Sequence, residues 1–120
     1  MTAEIMHQQG MLAFSMNRIY YAMFYAVQAL LISEQAAFSK HGQVKGYFNK
    51  AFVKTGIFPL KLGRIFNRAF EYRQKFDYVD FAQPEEKTVL QFMEYAKEFL
   101  SVIIAYFEEK MPGFTPDGLK

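Results

Sequence analysis

The chain has no cysteine, no tryptophan and only two histidines in 120 residues. Without thiols it can build no disulfide framework, thiolate zinc site or cysteine nucleophile, and a reducing cytoplasm is the compartment that suits it. His7 and His41 are too far apart in sequence for the short spacings of paired metal ligands, so no metal and no cofactor are expected. There is no Gly-rich phosphate loop, no His-Glu-x-x-His and no nucleophile elbow. The longest apolar run, residues 19–32, is broken only by Gln28. It falls short of the roughly 20 residues a membrane-spanning helix needs, so no membrane partner is expected. The opening MTAEIMHQQG has neither a basic nor an apolar region of the kind that directs export. No stretch alternates as a half-buried strand does, which leaves an all-α chain.

Its apolar residues recur with the helical period in every long segment. A first long helix is expected over residues 11–33, with Leu12, Met16, Ile19, Tyr20, Met23, Val27 and Leu30 as its inner stripe. The opposite face carries Phe14, Asn17, Arg18, Tyr21, Tyr25, Gln28 and Ile32, too aromatic for a solvated surface and too polar for a core. Aromatic, Arg and amide side chains together are interface chemistry. A homodimer through Phe14, Arg18, Tyr21, Tyr25 and Ile32 is therefore expected.

A short second helix follows, with Val44, Tyr47, Phe48, Ala51 and Phe52 inside and Lys45, Asn49, Lys50 and Lys54 outside. Gly56 suits the left-handed residue that ends it. Pro59 is placed to open a third helix, about 60–77, and a fourth runs from near Pro84 to Lys110 on Val89, Phe92, Met93, Ala96, Phe99, Leu100, Ile103 and Phe107. Residues 1–110 then form one domain, an antiparallel up-and-down four-helix bundle, and 111–120, with two Pro and two Gly, form an irregular tail.

Charge is unevenly spread. Residues 40–75 hold nine basic side chains against the single acid Glu71, whereas from Phe76 onward there are nine acids and four bases. Such a basic segment can draw in a phosphate-bearing partner, or can be a merely solvated face. Arg73 is the only charge in the apolar arc of the third helix, among Leu62, Ile65, Phe66, Ala69, Phe70, Tyr72 and Phe76. A guanidinium drawn inward needs a counter-charge or a ligand. Asp77, one turn on, with Tyr78 and Asp80 beside it, makes either an internal ion pair that fixes the next turn or a notch where Arg73 grips a phosphate. His41, with Ser39, Lys40 and Lys45, lies in a basic loop at a helix start and can contact a phosphate or act as a cap.

Three segments carry a resemblance: NRIYYAMFYAVQALL at 17–31, SKHGQVKGYFNKAFVKTGIFP at 39–59 and LGRIFNRAFEYRQKFDYVDF at 62–81. In them the chain resembles the HEPN superfamily, the higher eukaryote and prokaryote nucleotide-binding domains, in its small stand-alone prokaryotic branch. The resemblance implies an antiparallel bundle that dimerises and forms a cleft near the third and fourth helices. It also implies a partner, a minimal nucleotidyltransferase encoded alongside, in a toxin–antitoxin pair, and in some members a metal-independent ribonuclease. Those nucleases place a His four to six residues after an Arg. Arg73 matches the Arg, but Tyr78 stands five residues on and no histidine follows. A full first helix usually precedes the Tyr-Tyr-Ala segment in such proteins, so the first helix reads here as shortened or truncated.

Tyrosine, with an ordinary pKa near 10, is a weak general base at neutral pH. The expected function is thus a homodimeric module that binds a nucleotide or RNA through Arg73, Asp77, Tyr78, Arg18, Lys40, His41 and Lys45, without turnover. The alternative is a weak metal-independent endoribonuclease toxin that uses Arg73, Asp77 and Tyr78.

Overall fold

The computed structural model describes residues 3–36, 38–78 and 84–110, with side chains described for 10–36, 38–76 and 84–110. Among these residues the chain is four α-helices and no strand: α1 (Ala3–Ser33), α2 (His41–Phe48), α3 (Leu60–Tyr78) and α4 (Glu86–Lys110). The 111–120 tail and Asp80 lie outside the described residues.

The first helix starts at Ala3, eight residues before the expected position. Gly10 lies inside it, and a single glycine within a helix costs only about 1 kcal/mol against alanine, which the rest of a 31-residue helix readily outweighs. Its inner face holds Met16, Tyr20, Met23, Val27 and Leu30 fully buried, and it packs against α4, α3 and α2. The helix ends where Gln35 turns left-handed at φ 60° and the Ala36 N–H returns to Leu31 O at 2.8 Å.

α2 runs without a break into a π-helical segment, Asn49–Val53, in which the Lys54 N–H reaches Asn49 O at 2.8 Å. Asn49, expected outside, is half-buried instead: its amide donates to Lys45 O at 2.9 Å and to Asn67 Oδ1 at 3.1 Å. Gly63 makes room for this link, because a Cβ there would lie 2.6 Å from Asn49 Oδ1. Gly56 adopts the expected left-handed conformation, φ 87°, and the chain turns back through Phe58 N–H to Phe52 O at 2.8 Å.

The core is a run of rings. Phe48, Phe52, Phe66 and Phe99 are fully buried, and Phe48 contacts each of the others with ring centres within 6.1 Å. α3 is tied to the start of α4 by the Glu85 N–H, which donates to the Tyr72 hydroxyl at 3.0 Å. α4 is buried along a narrower arc than its pattern implied: Val89, Phe92, Ala96, Phe99, Ile103 and Phe107 are inside, Leu100 is half-buried and Met93 is exposed. It packs mainly against α1 and α3, with Phe99 also touching Phe48 of α2 and Tyr106 touching Phe52, and positions outside that arc face solvent. No helix among the described residues is long and apolar enough to cross a membrane.

Candidate functional site

The three segments that carry the sequence resemblance meet at one place. Arg73, half-buried on α3, lays its guanidinium over two rings of α1, with its central carbon 5.1 Å from the Tyr20 ring centre and 5.2 Å from that of Tyr21. Such cation–π contacts hold a guanidinium flat against the rings. The Tyr20 hydroxyl lies 3.0 Å from Nδ1 of His41, the first residue of α2. His41 stacks on Phe24 at 4.4 Å between ring centres, and the Tyr21 ring meets it edge-on at 5.8 Å. Phe70 completes the wall, and the Lys45 ammonium sits 4.9 Å from its ring centre.

The direction of the Tyr20–His41 hydrogen bond follows from burial. Tyr20 is only 1% exposed, and among the described residues its hydroxyl has no partner except His41. Burial pushes the phenol's pKa far up, outweighing the nearby positive charge of Arg73, so Tyr20 keeps its proton. A buried O–H with one acceptor in reach must donate to it. Nδ1 is therefore the acceptor, and neutral His41 carries its own proton on Nε2. Burial also lowers the His41 pKa from its ordinary value, and the Arg73 charge lowers it further. Near neutral pH His41 is thus an uncharged N–H donor beside a fixed guanidinium. It is neither an imidazolium nor a free Nε2 base.

Arg73, His41 and Lys45 of the expected ligand residues are brought together here. Lys40 is the exposed N-cap of α2 next to His41, and its side chain makes no capping bond. Arg18 is exposed on α1, half a turn before Tyr20. Asp77 and Tyr78 close α3, and their side chains lie outside the described ones. Sequence reasoning missed Tyr20, which reads as an ordinary member of the apolar stripe; its hydroxyl was the one available signal, since a phenol in a core position needs a partner.

Next to this site runs an uncovered seam. Met11, Phe14, Tyr25 and Ile32 of α1 are 56%, 66%, 59% and 67% exposed. With Arg18, Tyr21 and Gln28 they recur at alternating steps of three and four, which places all seven on one side of the helix. Tyr21 belongs to both the seam and the Arg73 site.

A model of the HEPN domain matches residues 1–109. The chain belongs to the HEPN domain family. A UPF0332 protein of Thermotoga maritima is 40% identical over 107 residues, 89% of this chain and 81% of the relative. Two proteins of Methanocaldococcus jannaschii, each named as a putative toxin, are 38% identical over 76 residues and 31% identical over 85. Those alignments take in 63% and 71% of this chain and 52% and 63% of the relatives, so this HEPN chain spans only part of their length. No solved structure matches.

Proposed function

We propose that this HEPN chain is a toxin-like module of a toxin–antitoxin pair that works in the cytoplasm as a homodimer and holds a phosphate of a nucleotide or RNA against Arg73. The observation that carries the reading is the Arg73 guanidinium pinned over Tyr20 and Tyr21 beside the His41 N–H donor. Arg73 supplies charge and His41 a neutral hydrogen bond, while Lys40, Lys45 and Arg18 add a salt-sensitive field. A minimal nucleotidyltransferase is the natural partner, and the names of the two archaeal relatives support the toxin side of the reading. Copies pair along the α1 seam. An antiparallel pairing centred on Tyr21 sets Arg18 of one copy opposite Tyr25 of the other and brings the two Arg73 sites close to the shared seam.

A second reading, a weak metal-independent ribonuclease using Arg73, Asp77 and Tyr78, gains one observation: the fold does bring an imidazole beside Arg73. That imidazole is of the wrong tautomer for taking a 2′-hydroxyl proton at Nε2, so binding without turnover is the better reading. The test is fluorescence polarisation with a labelled single-stranded RNA, run beside a cleavage assay in EDTA. Expected are binding that weakens with salt, its loss in Arg73→Ala, and intact RNA. Affinity unchanged in Arg73→Ala would refute the site, and EDTA-resistant cleavage abolished by Arg73→Ala would promote the nuclease.

A further inference from the structure

A cavity of about 470 Å³ runs between α3 and α4. On α3 it is lined by Lys61, Arg64, Ile65 and Arg68. On α4 the lining is Thr88, Gln91, Phe92 and Tyr95. Both sets step by three, one and three, so each is a single stripe of its helix over two turns, about 10 Å long. A groove between two such stripes is the space left for a third helix, whose side chains interleave with both. Its floor is already in place. Ile65 and Phe92 are buried there, with half-buried Tyr95 beside them, and Phe92 is braced by Tyr72 at 5.3 Å between ring centres. At 100° per residue Arg64 and Arg68 stand roughly 140–180° around α3 from Arg73, so the groove is on another face of that helix.

The charges along it are unequal in their commitments. Lys61, at one end, pairs with Glu98 at 2.9 Å and lies 6.0 Å from the Tyr95 ring centre, so it is balanced. The nearby acid Glu94 is taken by Lys97 at 3.2 Å. Arg64 and Arg68 are exposed and have no ion pair and no side-chain hydrogen bond among the described residues. They stand four positions apart, about 6 Å along the axis, which is also the spacing of two acids four residues apart on a facing helix. All the cations are on the α3 rim, and the α4 rim offers only Thr88 and Gln91. The occupant is therefore charged along one edge and apolar beside it. That is the pattern of an amphipathic helix and not of a phosphate chain, which would be gripped from both rims.

We infer that the α3–α4 groove docks an acidic amphipathic helix of a protein partner. Two carboxylates one turn apart pair with Arg64 and Arg68, and the apolar residues next to them lie over Ile65, Phe92 and Tyr95. The rim pairs set orientation and partner choice, and covering the Tyr95 ring supplies most of the apolar contact. The groove is independent of the phosphate reading at Arg73, and either can fail without the other.

The probe is a fluorescein-labelled alanine-based helical peptide of about 18 residues, with Leu at two positions one turn apart and Glu at the two positions that follow them. Fluorescence anisotropy with the full chain compares it with two companions, one with Lys for Glu and one with Ser for Leu. The Glu–Leu peptide should bind at least about tenfold more tightly than either. Arg64→Glu/Arg68→Glu should reject it and accept the Lys peptide. Lys50→Glu/Lys54→Glu makes the same change in net charge at a different cavity, which those two line with Leu60, and should leave binding within about twofold of the parent. Tyr95→Ala should weaken binding and Tyr95→Phe keep it. Arg73→Ala should lose RNA and keep the peptide, which separates this groove from the Tyr20–His41 site. A Glu–Leu peptide that does not bind at millimolar concentration overturns the proposal. Equal losses in the two double variants do so as well, since they would reduce the contact to general attraction by a basic chain. RNA that binds through Arg64 and Arg68 while the peptide does not would overturn it and give the groove to nucleic acid. Amide shifts in the unmutated protein check the site without any variant: movement at Thr88, Gln91 and Tyr95 on peptide addition supports the groove, and movement confined to other faces overturns it.

Discussion

Removing one oxygen atom tests the arrangement around His41. Tyr20→Phe keeps the ring that stacks on Phe66 and Phe24, at 5.9 and 5.8 Å between centres, and leaves no cavity large enough to matter. What disappears is the 3.0 Å bond to His41 Nδ1. A hydrogen bond of this kind contributes about 0.5–1.5 kcal/mol net, and half-buried His41 can recover part of that from water, so the loss should be about 0.5–1 kcal/mol. For a chain of this size that lowers Tm by roughly 2–5 °C. The sharper readout is the tautomer. Long-range 1H–15N correlation above pH 7 should find the His41 proton on Nε2 in the parent and shared between both nitrogens in Tyr20→Phe. If the Nε2–H form falls to about half, and that form is the one that binds phosphate, RNA affinity should weaken about twofold. A parent spectrum dominated by Nδ1–H, or a tautomer ratio indifferent to Tyr20→Phe, would refute the assignment and with it the argument against a His41 base.

Light scattering at high micromolar concentration should give a dimer mass, and Phe14→Glu with Tyr25→Glu should give a folded monomer, since both side chains are exposed in the single copy and lie on the seam; a parent that stays monomeric sinks the seam. Gly63→Ala should destabilise by about 1–3 kcal/mol despite its better helix propensity, because the new methyl would meet Asn49 Oδ1 at 2.6 Å; urea melts that show a gain would mean that the Asn49–Asn67 link gives way freely. The pH dependence has a definite sign. His41 has a folded pKa below its ordinary one, so below about pH 6.5 the unfolded chain binds the extra proton first and stability declines as pH falls, until the folded pKa is passed. Among the described residues, Arg73 on α3, Tyr20 and Tyr21 on α1 and Lys45 on α2 are the titratable or charged groups gathered around the ring. Urea midpoints at pH 7.5 and 5.0 should differ less in His41→Asn than in the parent, and equal differences would show that the decline comes from other groups.

Much of the fold was legible because helical patterning is local. The stripes of α1 and α3, the left-handed Gly56 and the opening of α3 after Pro59 can all be read within a turn or two of sequence. Errors came where a position's fate depends on a distant element. Met93 matches an apolar period yet is exposed, because the elements packed on α4 cover only the arc from Val89 to Phe107. Asn49 and Asn67 look like solvated residues on separate helices, and only the close approach allowed at Gly63 turns them into a bonded pair. The π-helical segment had no sequence signature, since one extra residue per turn barely alters an apolar pattern eight residues long.

The candidate site was legible in parts but not as a unit. Arg73 stood out as the one charge in an apolar arc, and the missing histidine five residues later seemed to leave it without an imidazole. Counting along α3 could give no other answer, because His41 lies 32 positions earlier and reaches Arg73 only through the packing of α2 and α3 against α1. Proximity alone, however, does not restore the chemistry. A catalytic base is defined by its free lone pair as much as by its distance, and Tyr20, too buried to ionise and with one acceptor in reach among the described residues, occupies Nδ1 and fixes the proton on Nε2. The same three residues therefore favour the proposed grip on a phosphate over the ribonuclease reading. A single hydroxyl on the apolar stripe of α1 decides between the two.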